Sequence, residues 1–120
     1  MTEYLTLEDL LTLAGDLGGG AVRDIGLLDA AAHRPQVVLY GEAAYPGLDA
    51  QAAVLLESIV RNNALVDGNK RLGWLATVVL YGLNALMLDA PDGPAYELVM
   101  TVARGEVEHP AIAEALRTWH

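Results

Sequence analysis

The residues best suited to chemistry stand together at positions 67–71, where five residues hold an acid, a glycine, an amide and two cations. Asp67 carries a carboxylate, a group that Mg²⁺ prefers in combination with phosphate oxygens. Arg71 offers a pair of donors that suits phosphate oxygens, and Lys70 offers a point charge. Gly68 lets a ligand approach the main chain closely. The stretch is therefore predicted to bind an anion, with a nucleotide and its metal ion as the main candidate.

The residues that follow explain why an anion would be attracted here. Positions 72–83 are almost wholly apolar and contain no proline, which predicts a helix buried on all sides. The main-chain N–H groups around Gly68, Asn69 and Lys70 open that helix, and the positive end of its dipole favours a bound anion. The stretch is not a Walker loop, because no glycine precedes at the required spacing and no Ser or Thr follows Lys70.

A purely structural interpretation of the same residues is also open. Asp67 would then be the N-cap of the helix and Gly68 a turn residue. Lys70 and Arg71 would be solvated charges. Composition alone does not separate this interpretation from an anion site.

Bulk composition limits the classes of protein to be considered. The chain has 120 residues, of which 53% are hydrophobic and 19% charged, and it is expected to form one folded domain over 1–120. It has no cysteine, no secretory signal and no apolar run long enough for a membrane span, so a cytoplasmic location without membrane contact is expected. The net charge of −9 argues against nucleic-acid binding. Three of the seven cations, Arg61, Lys70 and Arg71, lie within eleven residues, which favours a local anion site.

Apolar periodicity and chain breakers predict an all-α fold of five or six helices around the helix 72–83. The other helices are expected at 7–17, ended by the glycines at 18–20, and at 27–33, 50–62, 95–104 and 109–119. Asp49 is the predicted N-cap of the helix 50–62. The short connection after residue 62 predicts that this helix packs beside 72–83. Residues 37–40 are apolar and β-prone, but a lone strand would lack a partner, which favours an irregular segment or a small flap.

Positions 61–71 resemble the signature of the Fic/Doc family, particularly that of its death-on-curing (Doc) branch. The signature runs His, any residue, Phe or another apolar residue, any residue, Asp, Gly or Ala, Asn, Lys, Arg. Leu65 and every residue from 67 to 71 match it in register. Residues 26–31 and 103–106 also resemble parts of the family, so the likeness extends over nearly the whole chain.

The resemblance implies a compact helical Fic/Doc fold and transfer of part of a nucleotide to a protein hydroxyl. Lys70 stands where Fic members carry glycine, which is similar to the Doc branch. That branch uses ATP to phosphorylate a threonine of elongation factor Tu and so blocks translation, which makes its members toxins. Transfer of AMP, the usual Fic reaction, is an alternative, as is a binding module without catalysis.

The resemblance also implies roles for individual residues. Asp67 would hold Mg²⁺, and Arg61 would reach the nucleotide. The phosphates of ATP would be bound by the remaining residues of the loop, namely Gly68, Asn69, Lys70 and Arg71. A small Phd-like antitoxin would be the regulatory partner, with a disordered tail that folds onto the toxin. The apolar faces of the predicted helices around 7–17 and 96–103 are candidates for the groove that receives it.

One position departs from the signature, because Asn63 stands where the family has histidine as its general base. Neutral imidazole accepts a proton near pH 7, whereas an amide has no useful basicity. Loss of a general base commonly lowers a rate by about 10²–10⁴-fold. The chain is therefore expected to fold, to keep the remaining catalytic groups Asp67, Lys70 and Arg71, and to be an inactive form. A deliberate substitution in a harmful protein explains this pattern more readily than a natural pseudoenzyme.

Overall fold

Six α-helices and one short hairpin form the part of the chain that the computed structural model describes, residues 1–18 and 21–120. The helices are α1 (Leu7–Asp16), α2 (Ile25–His33), α3 (Leu48–Asn62), α4 (Asn69–Leu83), α5 (Asp92–Ala103) and α6 (His109–Arg117). A turn of 3₁₀-helix, Arg34–Gln36, follows α2, and the strands β1 (Val38–Leu39) and β2 (Glu42–Ala43) pair antiparallel. The predicted all-α fold is confirmed.

The helix at the centre of the fold is α3. Every residue of α3 from Gln51 to Val60 is buried, and the helix packs against α2, α4, α5 and α6. In α4, by contrast, Trp74, Leu75 and Val78 are only partly covered. A buried central helix was therefore correctly expected, but its assignment to residues 72–83 is wrong. An apolar pattern identifies the residues that avoid water, and it does not tell whether a neighbouring helix closes over them.

The predicted packing of α3 beside α4 is confirmed and depends on a glycine. A β-carbon at Gly73 would lie 2.7 Å from Cγ2 of Val60 and 3.2 Å from Cδ1 of Leu56. The two helices therefore cross at a distance that only glycine permits at this position. One cluster of buried apolar side chains joins all six helices. None of the helices in the described residues is long and apolar enough to cross a membrane.

The central helix carries a buried ion-pair network. Glu57 pairs with Arg34 at 2.7 Å and with Arg61 at 3.0 Å, and Arg34 also donates to Ser58 at 2.9 Å. Burial opposes the charge of Arg34, but hydrogen bonds with Tyr45 and Glu57 outweigh it and raise the pKa of the guanidinium. No buried side-chain nitrogen or oxygen in residues 1–18 and 21–120 lacks a partner, so α3 accommodates its polar residues without an uncompensated charge.

The start of α3 differs from the expectation. Gly47, at φ +91°, is the N-cap, and Asp49 lies in the first turn of the helix. The predicted N-cap at Asp49 is therefore wrong. Its carboxylate instead accepts hydrogen bonds from the hydroxyl of Tyr81 at 2.5 Å and from Nε2 of His120 at 2.7 Å. Asp49 thus joins α3 to α4 and to the chain end rather than closing its own helix.

The first two helices and the hairpin agree largely with the expectations. α1 ends at Asp16, and Gly18 follows in a left-handed conformation at φ +81°, whereas Gly19 and Gly20 lie outside the described residues. α2 begins two residues before the predicted position, because the Asp24 side chain caps it by accepting from the N–H of Leu27. The partner of β1 lies immediately after it in the chain, so residues 37–43 form the small flap.

Candidate functional site

The connector between α3 and α4 is held by the segment that precedes α2. The carbonyl of Ala64 accepts from the main-chain N–H groups of Arg23 at 2.8 Å and Asp24 at 3.0 Å. The N–H of Val66 donates to the carbonyl of Ala21 at 2.9 Å, next to an isolated antiparallel bridge. Nothing in the sequence signals this pairing, because it joins positions that are distant in the chain and makes use of main-chain groups.

The first turn of α4 is open to a ligand. Its N-cap is Gly68, at φ +89°, and no side chain caps the helix. The N–H of Leu72 bonds to the carbonyl of Gly68 at 2.9 Å. Helix geometry leaves the N–H groups of Asn69, Lys70 and Arg71 without acceptors inside the helix. Asp67 is not an N-cap, so the structural interpretation of that residue is wrong, and the polar end of α4 is available to an anion.

The charged side chains of the loop have no partners within the described part of the chain. Asp67, Lys70 and Arg71 are exposed, and none makes a hydrogen bond or ion pair with another residue there. The other five cations of the chain all do, so Lys70 and Arg71 stand apart from them. The net charge of −9 means that acids are plentiful, yet these two cations at one helix start pair with none of them in the described residues.

The Arg71 side chain folds back over the start of its own helix. A β-carbon on Gly68 would lie 3.1 Å from Nη2 of Arg71. The guanidinium therefore lies against Gly68, at the start of the helix. A planar guanidinium beside several N–H donors is an arrangement that suits phosphate oxygens.

All of the predicted site residues except Arg71 line one cavity of about 360 Å³. Its lining consists of Val60, Arg61, Asn63, Val66, Asp67, Gly68, Asn69, Lys70 and Ala103. Arg71 lines a neighbouring groove, and Lys70 borders both spaces. The structure thus brings together residues from the end of α3, the connector, the start of α4 and the end of α5. The contribution of Ala103 was not foreseen from the sequence.

Arg61 is engaged in contacts within the protein. Its Nε donates to the carbonyl of Val102 at 2.9 Å, its Nη1 pairs with Glu57 at 3.0 Å, and its Nη2 donates to the carbonyl of Val107. A weaker contact of 3.4 Å reaches Glu108. The guanidinium therefore ties α3 to the turn between α5 and α6. Contact between Arg61 and a nucleotide stays a prediction, and it would compete with these hydrogen bonds.

Asn63 ends α3 in the left-handed conformation, at φ +53° and ψ +44°. Its carbonyl accepts a hydrogen bond from the guanidinium of Arg23, and its Nδ2 lies 3.5 Å from the carbonyl of Arg61. The residue is exposed and borders the cavity. Asparagine and histidine are both enriched in this backbone region, so a histidine fits at position 63 without a change of fold.

The donor set at the loop fits a metal ion that arrives together with a nucleotide. The described residues contain no group of three His, Cys, Asp or Glu side chains that would hold a metal by themselves. Asp67 supplies one exposed carboxylate to the cavity that Gly68, Asn69 and Lys70 also line. Mg²⁺ is commonly held by one or two carboxylates together with substrate phosphates.

An apolar groove of about 660 Å³ adjoins the site. It lies between the end of α1, the exposed face of α4 and the length of α5, and Leu17, Trp74, Val78, Tyr96 and Val99 are among the residues that line it. The sequence identified the contributions of the first and fifth helices. It missed α4, which was expected to be covered on every side.

Comparison with known proteins agrees with this combination of fold and site. The model of the Fic/DOC family matches residues 4–81, which include the connector and nearly all of α4. The chain therefore belongs to the Fic/Doc family. It is also similar to Toxin Doc of Mycolicibacterium smegmatis (strain ATCC 700084 / mc(2)155), with 47% identity over 120 residues, covering 97% of this chain and 92% of that protein. The resemblance to the Doc branch that the sequence indicated is confirmed.

Proposed function

We propose that this protein is the toxin of a toxin–antitoxin system, with a site that transfers the γ-phosphate of ATP to a threonine of elongation factor Tu. The similarity to a protein named Toxin Doc supports the toxin assignment. Lys70, in the place where the Fic signature has glycine, favours phosphate transfer over transfer of AMP. The present chain carries asparagine at the position of the general base and is an inactive form of that toxin.

The observation that carries the proposal is the unpaired state of Lys70 and Arg71 beside the open start of α4. Desolvating an anion is costly unless several donors replace its water. Here a guanidinium, an ammonium and three main-chain N–H groups belong to the first turn of one helix, and none has a competing partner in the described residues. Together they provide enough donors for the β- and γ-phosphates of ATP, and the helix dipole adds to the attraction.

Asp67 would hold Mg²⁺ against the same phosphates. A metal ion in this place would neutralise the charge that develops on the transferred γ-phosphate and on the leaving ADP. Asp67 is free for this task because no residue in the described chain occupies its carboxylate. The side-chain amide of Asn69 is in contact with Leu65, which leaves its main-chain N–H for the phosphates.

The acceptor hydroxyl must lose its proton as the new bond to phosphorus forms. Residue 63 borders the same cavity as Asp67 and Lys70 and is the group proposed to take this proton. The amide of Asn63 cannot do so, whereas a neutral imidazole at the same backbone position would. The chain therefore keeps the groups that bind ATP and lacks the group that starts its reaction. The same property favours the second candidate, a binding module that holds a nucleotide or partner without catalysis.

A small antitoxin is the proposed partner, and the apolar groove beside the site is its proposed docking surface. An amphipathic helix would place its apolar side chains on Trp74, Val78 and Tyr96. An acidic side chain at its end would reach Lys70 and Arg71, which border the groove. Such a helix would compete with ATP for the two cations. The target, elongation factor Tu, places the reaction in the cytoplasm.

The deciding experiment restores the base with Asn63→His and supplies ATP labelled at either the α or the γ phosphorus. Label on elongation factor Tu from γ-labelled ATP alone supports phosphate transfer, and label from α-labelled ATP shows AMP transfer instead. The unaltered chain and the double variant Asn63→His with Asp67→Ala serve as controls, and both should transfer at least about 10²-fold more slowly. Absence of both label and growth arrest with Asn63→His overturns the catalytic proposal.

Binding of ATP by the unaltered chain is tested separately, since it needs no base. Arg71→Ala should weaken the affinity for ATP–Mg²⁺ by about tenfold or more, because a charge-assisted pair of hydrogen bonds is lost. Arg117→Ala removes an exposed arginine on α6 that borders neither cavity and should leave the affinity unchanged. Equal affinities in all three proteins contradict the assignment of the loop as a phosphate site.

A further inference from the structure

We infer that Arg23 is a positioning residue of this site, one that holds the main chain at residue 63 so that the side chain there faces the cavity. Arg23 lies outside the family signature and precedes α2. The inference deepens the proposed function, and its kinetic test rests on that function. Its structural test does not.

Arg23 contacts two consecutive carbonyls at the end of the central helix. Its guanidinium donates to the carbonyl of Asn63, and its main-chain N–H donates to the carbonyl of Ala64 at 2.8 Å. The N–H of Asp24 adds a third hydrogen bond, also to Ala64, at 3.0 Å. The last carbonyls of a helix have no partner inside the helix. Asn63 is the C-cap of α3 and Ala64 follows it, so one dipeptide supplies donors to the two carbonyls that come directly after the helix.

These hydrogen bonds act on the torsion angles that aim the side chain of residue 63. Its φ of +53° lies in the left-handed region, which most residues with a β-carbon avoid and which asparagine and histidine adopt more readily than others. The direction of its carbonyl is set by ψ, so a donor held on that carbonyl keeps ψ at its value of +44°. The two bonds on Ala64 fix the following peptide. Without the guanidinium, the residue is free to relax toward a commoner conformation that turns its side chain away.

The guanidinium of Arg23 has the carbonyl of Asn63 as its side-chain partner in the described residues. Within residues 1–18 and 21–120 it makes no ion pair with an acid. The adjacent Asp24 does not attract it, because that carboxylate caps α2 through the N–H of Leu27. A cation at the negative end of the α3 dipole is favourable. Although the chain has many acidic residues, the exposed Arg23 side chain donates to the carbonyl of Asn63. This choice of partner indicates a specific positioning role.

Amide hydrogen exchange tests the inference in variants that keep Asn63, and it requires no assumption about activity. Arg23→Ala should raise exchange at the N–H of Val66, whose acceptor is Ala21, by about tenfold or more, since the connector opens more often. Amides in the middle of α3 should change much less. Arg117→Ala, which also removes one exposed arginine, is the matched control, and Arg23→Lys should restore part of the protection. Equal exchange at Val66 in Arg23→Ala and Arg117→Ala overturns the inference.

Kinetics in the Asn63→His background test whether the positioning matters for the reaction. Adding Arg23→Ala should lower kcat by about 10–100-fold, because misplacing a catalytic group by an ångström has effects of that size. The KM for ATP should stay within about twofold, because the phosphate groups belong to α4 and its loop. Adding Arg23→Lys should recover part of the loss.

The outcomes separate the inference from the proposed function. An unchanged kcat, or a loss that appears wholly in KM, contradicts a positioning role. If the Asn63→His protein itself transfers nothing, the proposed function fails, and the exchange of Val66 alone decides whether Arg23 holds the connector.

Discussion

The side chain of Asn69 and the main chain of Leu65 exchange two hydrogen bonds, each 3.0 Å long. The amide oxygen of Asn69 accepts from the N–H of Leu65, and its amide nitrogen donates to the Leu65 carbonyl. The loop between them is thereby closed on itself, with Asp67 and Gly68 at its apex. The side chain of Asn69 therefore stabilises the loop and is not free to bind a ligand.

Replacing Asn69 by alanine should lower the free energy of unfolding by about 2 kcal/mol, because two hydrogen bonds of about 1 kcal/mol each are lost. Asn62→Ala is the matched control, since its amide makes one long contact of 3.5 Å with the carbonyl of Leu27 and should cost less than about 0.5 kcal/mol. Urea unfolding of both variants measures the difference. A similar loss of unfolding free energy in the two variants would show that the hydrogen bonds between Asn69 and Leu65 do not stabilise the loop.

The two glycines of α4 that lie inside the helix should respond in opposite directions to alanine. Gly73→Ala places a β-carbon 2.7 Å from Val60 and should cost about 1–3 kcal/mol, because α3 and α4 must move apart. Gly82 has open space around it, so Gly82→Ala should stabilise by up to about 1 kcal/mol through helix propensity. Thermal unfolding distinguishes the signs, and a stabilising Gly73→Ala would contradict the close crossing of the two helices.

Asp49 should make stability depend on acid pH. Burial acts to raise the pKa of its carboxyl, but hydrogen bonds from Tyr81 and His120 outweigh burial and hold the pKa below its ordinary value of 3.8. The folded protein therefore binds fewer protons at this site than the unfolded chain. Its contribution to stability is complete above the ordinary value and is lost as pH falls through the lowered pKa.

The measurement is thermal unfolding from about pH 2 to about pH 7. Asp49→Asn should lower stability at neutral pH by about 1–3 kcal/mol, since hydrogen bonds to a charged group are weakened, and it should flatten the acid side of the profile. Asp16→Asn, an exposed acid at the end of α1, should leave the acid limb unchanged. If stability depends on pH in the same way in Asp49→Asn and in the unaltered chain, Asp49 does not cause the loss of stability in acid.

Replacing Ala85 by glycine should stabilise the protein. Ala85 follows α4 at φ +62°, where the N–H groups of Ala85 and Leu86 bond to the carbonyls of Gly82 and Tyr81. Glycine adopts this angle without strain, so Ala85→Gly should raise the free energy of unfolding by about 0.5–1 kcal/mol. Ala30→Gly, at an exposed position inside α2, should lower the free energy of unfolding by a similar amount. Chemical denaturation of both variants checks the pair of signs.

The sequence by itself determined the helices and the chemical groups of the site. Both depend on neighbouring residues: apolar spacing along 7–17 follows the turn of a helix, 72–83 is a continuous apolar run without proline, and residues 67–71 are adjacent in the chain. The signature could therefore be aligned residue by residue, and the substitution at Asn63 was visible. The prediction for Asp49 was wrong although the helix was right, because a carboxylate near a helix start suits either a cap or a contact with another element.

The tertiary structure decided what lies between elements. It placed α3 at the centre, where the neighbouring helices bury it, and it left one face of α4 lining a groove. It also directed Arg61 to the carbonyls of Val102 and Val107, and Arg23 to that of Asn63. Main-chain carbonyls are alike in every residue, so the pattern of side chains does not predict which carbonyl an arginine will contact. Only the folded arrangement brings a particular donor and acceptor together.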